Sequence, residues 1–415
     1  MPEKVMKVTV AGLWHLGCVT AACCAKKFNV TGLDDDVTGL LAGRAPLFEP
    51  GLDELLAANP IRFTNDPAIA CSDADVLWVT YDTPVDDDDN ADVDYVLERI
   101  RRCVPHLPAQ AVVLISSQIP VGTCAKLEAE FPGVAFAYSP ENLQLGKAIA
   151  AFETAERTVV GLRDESKKAV LEELLSPYCK RIIWMRTESA EMVKHGLNAF
   201  LALSITFINE LAGICEKMGA DAKELTEGLK TDIRIGPKAY LGAGGAFAGG
   251  TLARDVVSLM KIAAEKDQRL DVIPAIKRSN DWHRTWAFRR LGEQLGSLKG
   301  RRVALMGLTY KAGTDTLRRS LAMELANALL AAGASVIAFD PIVKEAPIAL
   351  GASPAEAAAG CDALVVCTEW PEFRQLAWNE VLPGMKRALV LDANRFLEKS
   401  MLLDSNVEYL SVGRI

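Results

Sequence analysis

The chain has 415 residues, 50% of them apolar and 24% charged, and a formal net charge of −8. That length predicts two or three domains, and that balance predicts globular ones with substantial cores. No basic block is present to neutralise phosphates, which excludes a general nucleic-acid partner and leaves a small-molecule ligand as the default.

Ten cysteines and four histidines occur, with no Cys-x-x-Cys pair, so no metal site is expected. Most of the cysteines lie in apolar runs, where a reduced thiol behaves as a small hydrophobe. That usage fits a reducing cytoplasm. The amino terminus runs straight into a strand-like segment without a signal peptide's apolar region. No uncharged apolar run of about 18 residues is present, so neither a membrane span nor a membrane partner is expected.

In chain order, Lys7–Ala11 and Asn29–Leu33 read as strands, separated by a glycine-bearing turn and an apolar helix from about Leu16. Val76–Thr80, Ala111–Ser116 and Val134–Tyr138 read as further buried strands. Strands alternating with helical segments indicate a parallel, doubly wound sheet. From about Ser189 to Met218 the pattern becomes one long helix. Two further helical stretches are predicted, separated by a glycine-rich loop at Gly242–Gly250. The alternation resumes after Lys299, with strands at Val303–Gly307, Ser335–Phe339, Ala363–Cys367 and Ala388–Leu391. The fold expected is therefore α/β, with two Rossmann-like doubly wound domains (1–188 and 298–415) joined by an all-helical region (189–297). The acidic run Asp86–Asp89 reads as a solvated loop.

Gly12-Leu13-Trp14-His15-Leu16-Gly17 occupies the place of a dinucleotide fingerprint. The first glycine makes the tight turn, the second lets backbone approach a pyrophosphate, and the third packs the helix on the sheet. Trp14 holds the second position, so the strict pattern fails there. Asp34, about 20 residues further on, suits a carboxylate binding the adenosine ribose and favours NAD over NADP.

Motifs spread along the whole chain carry a resemblance. They include Asp34-Asp35-Asp36, Pro46-Leu47-Phe48-Glu49-Pro50-Gly51-Leu52, Thr83-Pro84, Ser139-Pro140-Glu141 and Glu191-Met192-Val193-Lys194. Further on come Arg234-Ile235-Gly236-Pro237-Lys238, Gly307-Leu308-Thr309-Tyr310-Lys311, Thr314-Asp315 with Arg318 and Ser320, and Thr368-Glu369-Trp370-Pro371. In this order they resemble the UDP-glucose/GDP-mannose dehydrogenase family. The resemblance implies an amino-terminal NAD-binding domain, a helical dimer core and a carboxy-terminal domain for the nucleotide of a nucleotide sugar. A UDP-hexose substrate and a homodimer are the partners it implies.

Family members oxidise a primary alcohol twice, through a cysteine-bound thiohemiacetal and thioester. Carried over, the resemblance implies catalytic roles for Lys194, Asn198, Asp255 and Glu141, with Thr251 standing at the nucleophilic cysteine. It implies cofactor contacts from Gly12, Trp14, His15, Leu16, Gly17, Asp34, Thr83 and Gln118. Substrate contacts are implied for Arg234, Lys238, Gly249, Lys311, Arg318 and Arg395, the last because Asn394 stands where the family's arginine belongs. Gln118 replaces a threonine that helps hold water, Leu145 a second glutamate, and Arg254 a lysine. A threonine hydroxyl needs an adjacent base to attack. A single hydride transfer needs no thiol, only NAD, a base such as Lys194 and polar groups around the oxygen. The expected activity is therefore a two-electron oxidation of a nucleotide sugar. A non-catalytic nucleotide-sugar-binding homologue, or a conventional UDP-glucose 6-dehydrogenase working without a covalent step, are the alternatives.

Overall fold

A computed structural model describes residues 5–86, 91–141, 143, 145–248, 250–401 and 406–414. Of the predicted acidic loop only Asp86 lies within them, and Gly249 lies outside. The chain divides into two compact units, Met1–Leu197 and Asn198–Ile415.

The first unit is built on eight strands: β1 (Lys7–Ala11), β2 (Asn29–Leu33), β3 (Ile61–Thr64), β4 (Val76–Val79), β5 (Val112–Ile115), β6 (Ala135–Tyr138), β7 (Thr158–Leu162) and β8 (Ile182–Met185). They form one sheet in the order β3-β2-β1-β4-β5-β6-β7-β8. All neighbours run parallel except β6 and β7. β4, β5 and β6 are buried at every residue, as strands covered by helices on both faces must be. Val8 sits in register between Val30 and Val76. The strand order reverses between β1 and β4, and a crevice for a ligand opens at the carboxyl ends of such a pair.

The second unit repeats the idea with six strands: β9 (Arg302–Met306), β10 (Ser335–Phe339), β11 (Ala349–Leu350), β12 (Ala363–Val366), β13 (Leu389–Asp392) and β14 (Glu408–Leu410). Their order is β11-β10-β9-β12-β13-β14, all parallel. Here the switch falls between β9 and β12.

A 32-residue helix, Thr187–Met218, opens in the first unit and continues into the second. It is long and apolar enough to cross a membrane by length and composition. Buried Glu191, Asn198, Thr206 and Asn209 along it suit a protein core instead. After it come four helices rather than the two predicted: Ala222–Thr231, Thr251–Glu265, Val272–Arg284 and Trp286–Leu295. The last three read as one stretch in sequence because only the short break at 266–271 and Thr285 separate them. Strands β3, β7, β8, β11 and β14 were also not predicted.

Candidate active site

The first crevice is made by the turn after β1. Gly12 has φ +99°, and a Cβ there would lie 2.5 Å from the Tyr81 backbone nitrogen. A Cβ on Gly17 would collide with the Gly12 carbonyl. Both glycines are thus required by close backbone approach. Trp14 is different: its φ of −87° lies in ordinary extended space, and its side chain is half exposed. The backbone here does not need a glycine at the second position.

Leu13 N donates to Asp34 Oδ2 at 2.5 Å, and Asp35 N donates to Oδ1 at 2.7 Å. The predicted ribose ligand therefore also pins the turn, with lone pairs left on both oxygens. Asp35 is drawn below the usual carboxylate range: burial alone would push it up, but Arg102 and Arg99 outweigh that. The helix His15–Cys24 has no side-chain cap and no acidic residue in its first turn. Its amides and positive dipole end are open to an anion, as pyrophosphate recognition requires. The cradle built by Gly12, Gly17 and the helix end fits NAD, whose chemistry when bound is to accept a hydride. Thr83 Oγ1 donates to the Gln118 carbonyl at 2.7 Å, joining two further predicted cofactor residues.

One organising residue escaped the sequence reading. Glu49 is buried and accepts from His15 Nε2 (2.9 Å), Gly146 N (2.7 Å) and Ala148 N (2.9 Å). Burial pushes its carboxyl up, but the two amides and the imidazole hold it below the usual range. It ties the first residue of the open helix to the loop that follows Glu141. Lys194 Nζ donates to the Glu141 carbonyl at 2.5 Å, and both residues line a cavity of about 260 Å³ with Ser116, Ser139 and Leu16. Burial raises the Glu141 carboxyl, against the opposing pull of Lys194.

The second unit uses the same construction. Gly307 has φ +86°, and Leu308 N donates to Asp340 Oδ2 at 2.7 Å, as Leu13 does to Asp34. The following helix, Leu321–Ala331, differs: Ser320 Oγ accepts from Ala322 N and Met323 N, so its amides are already engaged. A pocket of about 470 Å³ beside it is lined by Tyr310, Lys311, Thr368, Glu369 and Asn394, with Gly245 and Ala246. The glycine-rich loop is fixed by side chains. Asn209 Oδ1 takes Gly244 N at 3.0 Å, Asn394 Oδ1 takes Gly245 N at 2.6 Å, and His283 Nε2 meets Gly244 O at 2.7 Å. Asn280 brackets Phe247 through both its backbone groups.

Next to this loop, Asn198 Nδ2 donates to Asp255 Oδ2, and both side chains are buried. Thr251 opens the helix that carries Asp255 and is exposed. Its hydroxyl has no hydrogen-bond partner among the described residues. All ten cysteines are free thiols, eight of them buried, and none is in this loop.

Three successive family profiles cover the chain: the NAD binding domain (6–179), the central domain (188–282) and the UDP binding domain (304–399) of the UDP-glucose/GDP-mannose dehydrogenase family. The chain belongs to that family. It is 33% identical to a UDP-glucose 6-dehydrogenase of Rhizobium meliloti, over 99% of this chain and 100% of that one. With the Pseudomonas aeruginosa UDP-glucose 6-dehydrogenase it shares 32% over 99% and 98%. The structure of a UDP-glucose dehydrogenase from Pyrobaculum islandicum superposes with a TM-score of 0.86 at 27% identity, covering 100% of both chains. The chain is thus an NAD-dependent nucleotide-sugar dehydrogenase with Rossmann-type domains.

Within this family frame the predicted residues separate. Gly12, His15, Leu16, Gly17 and Asp34 gather at the first crevice, with Trp14 on its rim; Glu141 meets Lys194, and Asn198 meets Asp255. Lys311 lines the second-unit pocket. Arg234 is exposed and paired with Asp232 on its own loop, while Lys238 and Arg318 are exposed. The Arg395 guanidinium is taken up by Asp221, at 2.8 and 2.9 Å. Arg395 thus has a carboxylate partner within its own unit while also lining a cavity there. Asn394, one residue earlier, is the side chain that reaches the pocket and the loop.

Proposed function

We propose that this dehydrogenase removes one hydride and one proton from an alcohol of a nucleotide sugar, most simply a UDP-hexose, and releases the aldehyde or ketone. The supporting observation is Thr251: an exposed hydroxyl at the family's thiol position, with no base hydrogen-bonded to it among the described residues. Losing a covalent nucleophile costs on the order of 10⁴-fold, or roughly 5–6 kcal/mol of barrier. The first step of the family reaction needs no such group. Lys194, resting on the Glu141 carbonyl, and the half-buried Glu141 carboxyl supply the proton acceptor on the first unit. Domain limits at 188 and 297 separate a cofactor domain, a helical core and a nucleotide domain in this reading.

The helical core also supports a homodimer. Phe200, Leu203, Phe207, Ile214 and Met218 are exposed large apolar residues of the long helix, recurring at spacings of three, four and seven so that they share one face. A second copy covering that stripe is the occupant we propose. Ten free thiols support a cytoplasmic location.

The test is the number of NADH molecules formed per nucleotide sugar consumed, with product masses. One NADH and a product two hydrogens lighter are expected. Two NADH and a uronate at an ordinary rate would return the protein to conventional UDP-glucose 6-dehydrogenase chemistry. No turnover and no NAD binding by calorimetry would leave a nucleotide-sugar-binding homologue.

A further inference from the structure

Asp35 stands one residue past the expected ribose ligand, Asp34, and two arginines of the helix Val93–Cys103 hold its carboxylate. Arg99 Nη2 donates to Asp35 Oδ2, and Arg102 Nη1 donates to Oδ1 at 3.0 Å. Each guanidinium thus takes one oxygen. Consecutive Cα atoms lie about 3.8 Å apart, and the Asp34 carboxylate is turned onto the Asp35 amide at 2.7 Å. Both cations therefore belong to the neighbourhood of the adenosine ribose. Asp35 and Arg102 are about half exposed, at 48% and 53%, so this cluster is open to a ligand.

Arg99 is fixed by more than its ion pair. Its Nη1 donates to the Tyr95 carbonyl at 3.1 Å, and its guanidinium lies 3.5 Å from the Tyr95 ring centroid and 5.5 Å from that of Tyr81. Tyr81 is the residue whose backbone packs on Gly12, so the stack borders the cofactor turn. A guanidinium stacked and hydrogen-bonded in this way stays in place when its carboxylate is removed. Asp36, the third acid of the run, is engaged on its own loop, where its carboxylate accepts from Thr38 N at 2.9 Å.

Arginine near an adenosine ribose is what a 2′-phosphate requires, since guanidinium meets phosphate with forked donors. Here Asp35 occupies two of them. We propose that Asp35 is a specificity-determining residue, which keeps the enzyme on NAD by masking a latent 2′-phosphate site made of Arg99 and Arg102. Asp34 rejects NADP by repulsion, and Asp35 withholds the cations that would offset that repulsion, a second and separate barrier. This role rests on Asp34 reading the adenosine ribose, and not on the number of hydrides transferred.

The test is calorimetric titration of NAD and of NADP into the full-length wild type, Asp35→Ala and Asp35→Ala/Arg99→Ala/Arg102→Ala. The wild type is expected to bind NADP about a hundredfold or more weakly than NAD. Asp35→Ala should hold NAD affinity within about threefold and tighten NADP about tenfold or more. Removing both arginines as well should abolish that gain. Asp35→Asn, of the same shape, should give a smaller gain in the same direction, and it carries the test if far-ultraviolet dichroism shows Asp35→Ala unfolded. Unchanged NADP affinity in the folded Asp35 variant overturns the proposal. So does a gain that survives loss of both arginines, which would come from the removed charge alone. Loss of NAD binding in folded Asp35→Ala would place Asp35 in the cofactor's own grip and overturn it too. Asp34→Ala isolates the underlying reading: NAD affinity unchanged there would put the ribose elsewhere.

Discussion

The side-chain amide of Asn198 donates to the carboxylate of Asp255 across a sequence separation of 57 residues, with both groups buried. Removing the amide leaves a buried carboxylate with one donor fewer. Asn198→Ala is expected to destabilise the protein by about 1–3 kcal/mol. A double-mutant cycle with Asp255→Ala, read by urea unfolding, should give a coupling of roughly 0.5–3 kcal/mol. Strict additivity would mean that the pair does not hold the two helices.

Thr251→Ala is expected to keep the single-hydride rate within about threefold of wild type, because its hydroxyl takes no part in that step. Thr251→Cys should instead accumulate a covalent adduct with the substrate, seen by mass spectrometry of the quenched protein. A hundredfold fall in Thr251→Ala, of the order expected for a group acting in the transition state, would make the threonine a participant.

Glu49 ties acid stability to the cofactor helix. Its carboxyl is held below the ordinary value of 4.5. Its contribution is therefore complete above that value and is lost as pH falls through the lower folded one. Stability should drop on the acid side, and Glu49→Gln should flatten that slope. Glu49→Ala strands the Gly146 and Ala148 amides and is expected to cost about 1–3 kcal/mol, with weaker NAD binding as His15 loses its anchor. Denaturation midpoints across the acid range and NAD calorimetry measure both.

Phe207 lies mid-way along the apolar stripe of the long helix. Phe207→Glu is expected to give a monomer by sedimentation velocity with unchanged far-ultraviolet dichroism. A dimer that survives this change uses another surface.

How far the sequence foretold this structure depended on burial and on distance along the chain. β1, β2 and β10 were legible to the residue because each short β-branched run is followed at once by a glycine or aspartate, at Gly12, Asp34 and Asp340. β3, Ile-Arg-Phe-Thr, was not: it is the sheet's edge and only half buried, so its pattern lacks a core strand's apolar run. β8, the opposite edge, is half-buried throughout for the same reason. Gly12 and Asp34 belong to a local motif and were found by spacing. Glu49 meets partners 34, 97 and 99 residues away, which no spacing rule reaches; the lone signal was an acid set between Leu47-Phe48 and Pro50. Asn394 was recognised as a departure from the family, but its grip on Gly245 needed coordinates.

The ordinary backbone angles of Trp14 make that position a dial rather than a fault. Since the turn folds without a glycine there, substitutions move ligand affinity and folding stability separately. Trp14→Gly should loosen the fold by about 0.5–1 kcal/mol through the greater freedom of the unfolded chain, while opening room above the helix end for the dinucleotide. Selection acting on this one residue can therefore trade tight cofactor retention for rapid exchange while leaving the sheet beneath it undisturbed.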